Sequence, residues 1–468
     1  MVGSEDRLGG VAPSETNGAG VTHQRRLMNM LRSEFMPRRF AIGVFSLLVV
    51  LAFTRSPFVF VHGRFWAEEG SFHFRRMVAH PSVRNLVFVQ PNLGYYYLFL
   101  EASTWVAAKV SLLYAPLVTA WSAFSIVALM VWIALRWPST LLPTVGARIA
   151  AAALLVVGTL AVPEVWANAT NAQVYLAIAA TLVLFVELDR LTRREFVAGA
   201  GLLLAAGLSG IYTCVLTPLY IASAIRTRSR RARIYALLLT IVSAVQLGVA
   251  TWARSTGSLR KSRIALPHLG VMARGFATGH IATMLFGSAI GAALNRASHS
   301  FERLLLWSLL ALIIVLVIGA LLRDTGSKHV VMSLGCAFVL EELLVNWGAE
   351  SGGGGRYAVV PIAMLTLALI HAAARARHTT ARIISRGLCA TILIFGLANF
   401  WTFQPATLRC IRCPRWDRQV HAYAAGVTDQ LQIWPYAKKQ RWSITLPKRA
   451  QTHASTSPRQ VGNATRRS

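Results

Sequence analysis

The sequence predicts an all-α fold: a polytopic membrane helix bundle with about 11 to 13 spans. Hydrophobic residues make up 55% of the 468 residues and charged residues only 14%, and the mean hydropathy is +0.50. Soluble domains carry about 25% charged residues. The segment Leu304 to Leu322 has no charged residue, and a helix of this length spans the roughly 30 Å hydrocarbon core of a bilayer.

The net charge of +30 is the second global feature. So basic a chain raises the question of nucleic-acid binding. The Lys and Arg residues, however, form short clusters between apolar segments and in both tails, which is the pattern of the positive-inside rule. No stretch outside the predicted spans is long and apolar enough to fold as a basic soluble domain. We therefore expect membrane lipids, and no nucleic acid, as partners.

Composition divides the chain into successive parts. Residues 1–38 are polar and are predicted to be a disordered cytoplasmic tail. Residues 39–402 form the predicted transmembrane domain, whose first extracytoplasmic loop covers residues 62–93. Residues 403–447 are expected to form a small extramembrane cap, and residues 448–468 a disordered tail.

The basic loops at 190–194, 226–233 and 375–386 favour a cytoplasmic N-terminus. With that orientation, two full crossings in 94–135 and two more in 147–188 would put the 190–194 loop on the wrong side. The predicted span Phe276 to Ala293 creates a similar conflict. A segment that enters the bilayer and returns would resolve each conflict, and such a backbone is tolerated where it is buried in protein or lines a wet cavity.

Two adjacent carboxylates, Glu68 and Glu69, lie in the first extracytoplasmic loop. Neighbouring side chains on a helix diverge by about 100°, so the pair suits one general base and one carboxylate that orients a group or binds a metal ion. Gly70 is expected to turn the chain there. The alternative is an acidic loop that pairs with nearby arginines such as Arg64 and Arg76.

A short amphipathic helix is predicted directly after Gly70. Its apolar face would carry Phe74, Met77 and Val78, and another face His73, Arg76 and His80. Such a helix would lie in the membrane interface with its apolar face in the lipid and its cations near the headgroups. Arg64, His73 and Arg76 are therefore candidates for contact with a lipid-linked substrate.

Amide side chains cluster at the outer end of a later predicted span, where the sequence reads Trp-Ala-Asn-Ala-Thr-Asn-Ala-Gln from residue 166. Amides both donate and accept hydrogen bonds, which suits sugar hydroxyls, so Asn168, Asn171 and Gln173 are candidate substrate ligands. Helix capping by Asn168 or Asn171 is the alternative.

Two cationic loops could hold a phosphate. Gly352 to Gly355 precede Arg356 and Tyr357, so that backbone N–H groups lie beside a guanidinium; the alternative is a flexible turn with an interfacial arginine. The loop 254–268 carries Lys261 and Arg263 and would attract an anionic lipid if it faces outward, or anchor the chain if it faces inward. Ionisable residues within spans, namely Glu101, Glu341 and Glu342, are further candidates.

The order of these motifs resembles bacterial polytopic proteins of the glycosyltransferase C superfamily. The shared order is a basic tail, a first span, W-x-E-E-G, an interfacial helix, Gly-Tyr-Tyr-Tyr, an Asn-rich loop and a late Gly-Gly-Arg-Tyr. Many relatives have E-D-G or D-x-D where this chain has Glu68-Glu69-Gly70. The resemblance implies a polyprenyl-phosphate-linked sugar as donor, Glu68 or Glu69 as the catalytic base, and the bacterial inner membrane as location. It leaves a divalent cation, Mg²⁺ or Mn²⁺, open as a cofactor.

Three functions are carried forward. The first is an inverting glycosyltransferase acting on an envelope glycan, lipid or protein acceptor. The second is a transporter or lipid flippase, in which the acids within the spans couple to ions. The third is a noncatalytic scaffold. The first requires that loops far apart in the chain meet in one wet pocket, with Glu68 or Glu69 close to Arg356.

Overall fold

The computed structural model describes residues 29–31, 33–34, 36–158, 164–259, 269–297, 301–348, 355–401, 415–437 and 440–447. Within these ranges the chain is a helical bundle, which confirms the predicted all-α class. The principal helices are Arg38–Thr54, Leu98–Ala107, Ala115–Arg136, Val145–Val157, Ala172–Leu184, Arg193–Gly207, Thr217–Thr227, Arg230–Ser255, Phe301–Asp324, Lys328–Gly348, Val359–Arg375 and Thr379–Phe400. Shorter α-helices are Pro57–Val61, Arg75–Ala79, Leu269–Arg274, Thr283–Phe286, Ser288–Ala297 and Trp416–Ala424.

The described residues include four helices that are long and apolar enough to cross a membrane: Ala115–Arg136, Arg230–Ser255, Gly355–Arg375 and Thr379–Phe400. The helix Phe301–Asp324 contains the uncharged segment on which the sequence prediction depended. Other predicted spans correspond to shorter apolar helices such as Val145–Val157, with 13 residues. The chain is a membrane protein by these features, and the count of 11 to 13 crossings stays a prediction.

The helix Ala172–Leu184 lies at the centre of the bundle. All of its residues except Gln173 are buried, as expected for a helix that is apolar on every side and surrounded by others. Alanines at 172, 177, 179 and 180 keep its surface narrow, which lets neighbouring helices approach closely. Gln173 is therefore the one polar side chain that this helix directs away from its packed surface.

The bundle has two faces that differ in charge. We call the end that carries Arg136 and the loops at 190 and 229 the basic face. There Arg136 Nη1 donates to Met36 O at 3.0 Å and Val145 N donates to Ser33 O at 2.9 Å, so the segment before the first helix lies beside the loop 137–144. The hydroxyl of Ser229 donates to Asp189 at 2.8 Å, which joins the two basic loops at 190 and 229. The opposite end, the cap face, carries residues 62–93 and the C-terminal segment.

Three predicted spans are broken. Leu98–Ala107 has only ten residues, and Leu112, shortly after it, accepts a hydrogen bond from Trp416 of the C-terminal segment. Both ends of this segment thus lie near the cap face. The span predicted over 276–293 is wrong as a single helix: a π-helical turn, Gly275–Ala282, and Thr283–Phe286 are followed by a break at Gly287, whose φ is 90°, and then by Ser288–Ala297.

The short helix Leu98–Ala107 and the break at Gly287 lie in the two stretches where the crossing conflicts were predicted, and the return of either segment to the same side of the membrane stays a prediction. The long apolar stretch 196–225 is also divided, because the helix Arg193–Gly207 ends just before Ser209 and the next helix, Thr217–Thr227, begins with Pro218 in its first turn. These interruptions leave helix ends and turns inside the bundle.

The C-terminal segment forms a helix, Trp416–Ala424, and an antiparallel hairpin of Gln430–Ala437 and Gln440–Thr445. We call this the cap. Its Leu431, Ile433 and Ile444 form one buried cluster with Phe65 and Phe74. The apolar side of the 64–80 segment is therefore covered by protein, and the prediction that it lies in lipid is wrong. Hydrophobic area can be removed from water by either route.

Gly70 has a different role from the predicted turn. It lies in the π-helical turn Glu69–Phe74, and its φ is not in the left-handed region. A Cβ at this position would lie 2.6 Å from Phe65 Cβ and 2.8 Å from Ile444 Cδ1. Gly70 is thus required for the close approach of the cap, because any side chain would overlap with it.

Candidate functional site

Six of the predicted site residues line one cavity of about 110 Å³ near the cap face. They come from three separate parts of the sequence: Glu68 and His73, Asn171 and Gln173, and Arg356 and Tyr357. Tyr95, Tyr97, Tyr212, Leu344 and Val345 complete much of the wall. We call this space the cap-face cavity. Within the described residues, loops that are far apart in the chain thus meet at a common pocket.

The acid-bearing segment has an unusual backbone. Ala67 has φ of 35°, a region that residues other than glycine and asparagine rarely adopt. The π-helical turn Glu69–Phe74 follows directly, and such turns are frequent at functional sites. This geometry directs the two carboxylates differently. Glu68 is half-buried and lines the cavity, and its carboxylate accepts no hydrogen bond from a described residue.

Glu69 points into the protein. Its side chain is buried and accepts hydrogen bonds from Thr119 Oγ1 at 2.7 Å and from the backbone N–H of Ala169 at 2.8 Å. Burial raises the pKa of Glu69 to about 7, and the hydrogen bonds from Thr119 and Ala169 limit that rise. Glu69 therefore connects the acid-bearing segment, residues 64–80, to residues 166–173, which we call the amide loop. It lies outside the cavity wall.

His73 is held by a buried carboxylate. Its Nδ1 lies 2.9 Å from Glu101 Oε1, and Arg76 donates to the other carboxylate oxygen of Glu101. The Arg76 guanidinium also lies 3.6 Å from the ring centre of Phe88, a cation–π contact. Because Glu101 faces Nδ1, the Nδ1–H tautomer is favoured. Nε2 is buried without a hydrogen-bond partner among the described residues, on a side chain that lines the cavity.

The amide loop combines capping with cavity lining. Asn168 Oδ1 accepts from Asn171 N at 2.9 Å, so Asn168 caps the turn Ala169–Asn171, which is the alternative considered for it. Asn171 lines the cavity and donates from Nδ2 to Glu164 O at 2.7 Å. Tyr97 also belongs to this wall, and its hydroxyl donates to Thr170 O.

Arg356 lies at the far side of the cavity in an ion pair. Its Nη1 donates to Glu164 Oε1 at 2.6 Å and its Nη2 to the Tyr357 hydroxyl at 3.0 Å. About a third of each charged side chain is exposed, 32% for Arg356 and 39% for Glu164. A guanidinium that is only partly covered can exchange one anionic partner for another.

Other predicted site residues lie elsewhere. Arg64 donates to Gln432 O at 3.1 Å and lines a separate groove beside the cap, with Trp416 and Trp434. Glu69, Arg76 and Asn168 act within the protein, as described above. Lys261 and Arg263, with residues 260–268 of the predicted loop 254–268, lie outside the described residues, as do the glycines 352–354.

Sequence reasoning missed the partner of Arg356 and most of the aromatic wall. Glu164 precedes the amide loop by only a few residues, so its position next to that loop was a usable signal. Tyr95 and Tyr97 belong to the Gly-Tyr-Tyr-Tyr motif, which was used only for the resemblance. Tyr212 follows the break at Gly210, and no local pattern marks it.

The acids within spans differ in their surroundings. Glu342 Oε1 lies 2.5 Å from Nδ1 of His280, which belongs to the π-helical turn Gly275–Ala282. Glu341 is fully buried, and neither of its carboxylate oxygens has a hydrogen-bond partner among the described residues. Leu344 and Val345, which follow on the same helix, line the cap-face cavity.

The described residues contain no group of three or more His, Cys, Asp or Glu side chains that could hold a metal ion. The divalent cation stays a prediction, and the site has to be assessed from its own carboxylate, imidazole, guanidinium and amides. No protein-family model, curated protein or solved structure matches this chain, so its resemblance to the glycosyltransferase C superfamily depends on the motifs quoted above.

Proposed function

We propose that this chain is an inverting membrane glycosyltransferase that takes a sugar from a polyprenyl-phosphate carrier. The observation that supports this proposal is the common cavity of Glu68, His73 and Arg356. It combines two groups that can accept a proton with a cation that can hold a phosphate. Asn171 and Gln173 add amides that match sugar hydroxyls. The proposed location is the bacterial inner membrane, with the cap face outside.

In the proposed reaction, an acceptor hydroxyl attacks the anomeric carbon of the donor sugar. Glu68 takes the proton of that hydroxyl as the new C–O bond forms. The bond between the anomeric carbon and the phosphate oxygen breaks with its electron pair, so polyprenyl phosphate leaves and the anomeric configuration inverts. Arg356 would pair with the leaving phosphate, which competes with Glu164 for the guanidinium.

His73 has a distinct role in this proposal. Glu101 and Arg76 fix its ring, so Nε2 can accept a hydrogen bond from a substrate hydroxyl. The cavity of about 110 Å³ is smaller than typical ligand pockets of roughly 300 to 1,000 Å³. Donor binding would therefore have to widen it, most simply by the separation of Arg356 from Glu164.

The test uses the purified protein in vesicles that contain a radiolabelled polyprenyl-phosphate hexose or pentose, with crude envelope glycan and lipid as acceptors. Loss of sugar from the carrier is measured by chromatography. Glu68→Gln should reduce the transfer rate by about 100-fold or more, the usual size of a general-base effect. Glu69→Gln, which leaves the cavity wall intact, should cost much less. Full transfer by Glu68→Gln would remove the proposed base.

A second candidate function, transport without bond chemistry, is favoured by one observation. Glu341 is a buried carboxyl group without a hydrogen-bond partner in the described part of the helix bundle, and such groups often belong to ion or proton pathways. Vesicles that take up or flip the lipid-linked sugar without releasing it from its carrier would support this function and exclude the transferase.

A further inference from the structure

A second polar cavity, of about 170 Å³, lies on the basic face, at the opposite end of the bundle from the cap. Its wall includes Arg148, Arg190, Ser327, His329 and Arg375. These residues come from separate parts of the chain, and the proposed transferase mechanism uses none of them. We call it the basic-face cavity.

Arg148 differs from the other cations of this face because it is buried, with only 7% of its surface exposed. Its Nε donates to Leu142 O at 3.2 Å, which fixes the guanidinium plane. Neither terminal nitrogen forms a hydrogen bond or an ion pair with any described residue. Glu187 and Glu34 attract Arg148 only at longer range. A buried guanidinium whose terminal nitrogens form no hydrogen bond is costly, so Arg148 can donate to an anion that enters the cavity.

One helix N-terminus adds to the positive potential. At a second, which carries Arg148, the Val145 and Ala147 N–H groups already donate to Ser33 O and Thr144 Oγ1. Arg148 lies in the first turn of the 13-residue helix Val145–Val157, where a cation is unfavourable on its own account. Ser327, His329 and Val330, at the start of the 21-residue helix Lys328–Gly348, line the same cavity. First-turn N–H groups have no acceptor within their own helix, and helix N-termini bind phosphate and similar anions.

Two carboxylates also line the cavity, and both interact with Arg190. Glu34 and Glu187 line the cavity, and both lie near Arg190, at 3.8 Å and 2.8 Å from its guanidinium nitrogens. Arg190 offsets one of these two negative charges, and both carboxylates also attract Arg148. With Arg148 and Arg375 included, the arginines of the wall exceed its two carboxylates by one positive charge, and the N-terminus of the helix Lys328–Gly348 adds to that excess.

The adjoining space indicates the size of the ligand. A neighbouring cavity of about 360 Å³ shares Glu187, Arg190 and His329 with the basic-face cavity. Its wall is partly apolar and includes Val183, Leu184 and Tyr220. An anion bound at Arg148 could thus be part of a larger molecule, whose organic portion would occupy the neighbouring space.

We propose that the basic-face cavity binds a phosphate group, with Arg148 and the N-terminus of the helix Lys328–Gly348 as its principal donors. A guanidinium fork matches the geometry of phosphate oxygens. The phosphate could belong to the headgroup of an anionic membrane lipid or to a small soluble phosphate ester, and both share the chemistry that the cavity recognises.

The test uses the full chain in nanodiscs. In one arm, discs of phosphatidylcholine are titrated with glycerol 3-phosphate by calorimetry. In the other, discs containing phosphatidylglycerol are examined by native mass spectrometry for retained lipid. Arg148→Gln should weaken binding about tenfold or more in the arm that contains the true ligand, the size expected for a charged hydrogen-bonded contact. Arg194→Gln, at an exposed arginine outside the cavity, is the matched control and should bind normally.

A second variant guards against misfolding of Arg148→Gln. His329→Glu places a negative charge at the helix N-terminus on a half-buried side chain, so it should abolish binding without a change in the core. Binding in the calorimetric arm alone would identify a soluble phosphate ester, and retained lipid alone would identify a headgroup. The proposal is overturned if the wild-type chain binds neither probe, or if both variants bind as tightly as the wild type.

Discussion

Glu69 is a buried carboxyl group that forms hydrogen bonds but no ion pair within the described residues, so its ionisation should affect stability. Its pKa rises from 4.5 to about 7 on folding because burial disfavours the charged form. Between these values the unfolded chain has lost its proton while the folded chain retains it. The contribution of Glu69 is complete below pH 4.5 and is lost as the pH rises through about 7, by about 1.4 kcal/mol per pH unit between the two.

The replacement Glu69→Gln isolates this effect. A glutamine can mimic the protonated acid, with its carbonyl accepting from Ala169 N–H and its NH₂ donating to Thr119 Oγ1. We expect the difference in unfolding free energy between wild type and variant to vary with pH by roughly 3 kcal/mol in total, with the variant relatively more stable at pH 8 than at pH 4.5. Chemical unfolding in detergent across this range measures it. A difference that does not depend on pH would mean that Glu69 is not buried as described.

The sequence predicted that the two adjacent glutamates would have separate roles, because neighbouring helical side chains diverge. Which of them faces the cavity could not be predicted. That depends on the hydroxyl of Thr119, 50 residues from Glu69 in sequence, and on the N–H of Ala169, 100 residues away. Only tertiary structure brings these donors to one carboxylate and leaves the other at the cavity.

Gly70 shows how one element depends on the absence of a side chain. Because an added Cβ would lie 2.6 Å from Phe65 Cβ, Gly70→Ala must displace either the phenyl ring or the hairpin. We expect a loss of about 1 to 3 kcal/mol of unfolding free energy, typical of overpacking, and faster cleavage of the cap by trypsin. Gly201→Ala is the control, since nothing lies within 4 Å of the added atom. Equal stability and cleavage rates for both variants would contradict the packing of the cap on the 64–80 segment.

At the scale of elements, the apolar runs located most helices, and their interruptions were predictable at Ser209 and Pro218. The break within 276–293 was not, since Gly287 is one glycine among several in apolar segments and its φ of 90° is set by the fold. The amphipathic pattern of residues 74–78 likewise required an apolar neighbour without identifying it. A lipid surface and the cap satisfy the same pattern, because hydrophobic burial is not directional.

At the scale of the whole molecule, the distribution of charge predicted which loops share a face. The segment before Arg38 lies beside Arg136, and the loops at 190 and 229 contact each other. Leu98–Ala107 has only ten residues and the chain after it remains near the cap, as the predicted return of the 190–194 loop to this face requires. The cap-face cavity and the basic-face cavity consequently lie at opposite ends of the bundle.

This two-faced arrangement predicts which positions can be reached from each side of the membrane. In a variant without the five native cysteines, single cysteines at His80 and Val427 report the cap face, and single cysteines at Arg194 and Arg233 report the basic face. All four positions are exposed, so access should depend on sidedness alone. We expect a membrane-impermeant maleimide to label the cap-face cysteines in intact cells and the basic-face cysteines only after permeabilisation, since basic loops are retained in the cytoplasm. The reverse pattern would invert the proposed orientation. Labelling of His80 and Arg194 from the same side would contradict the bundle itself, and with it the separation of the two cavities.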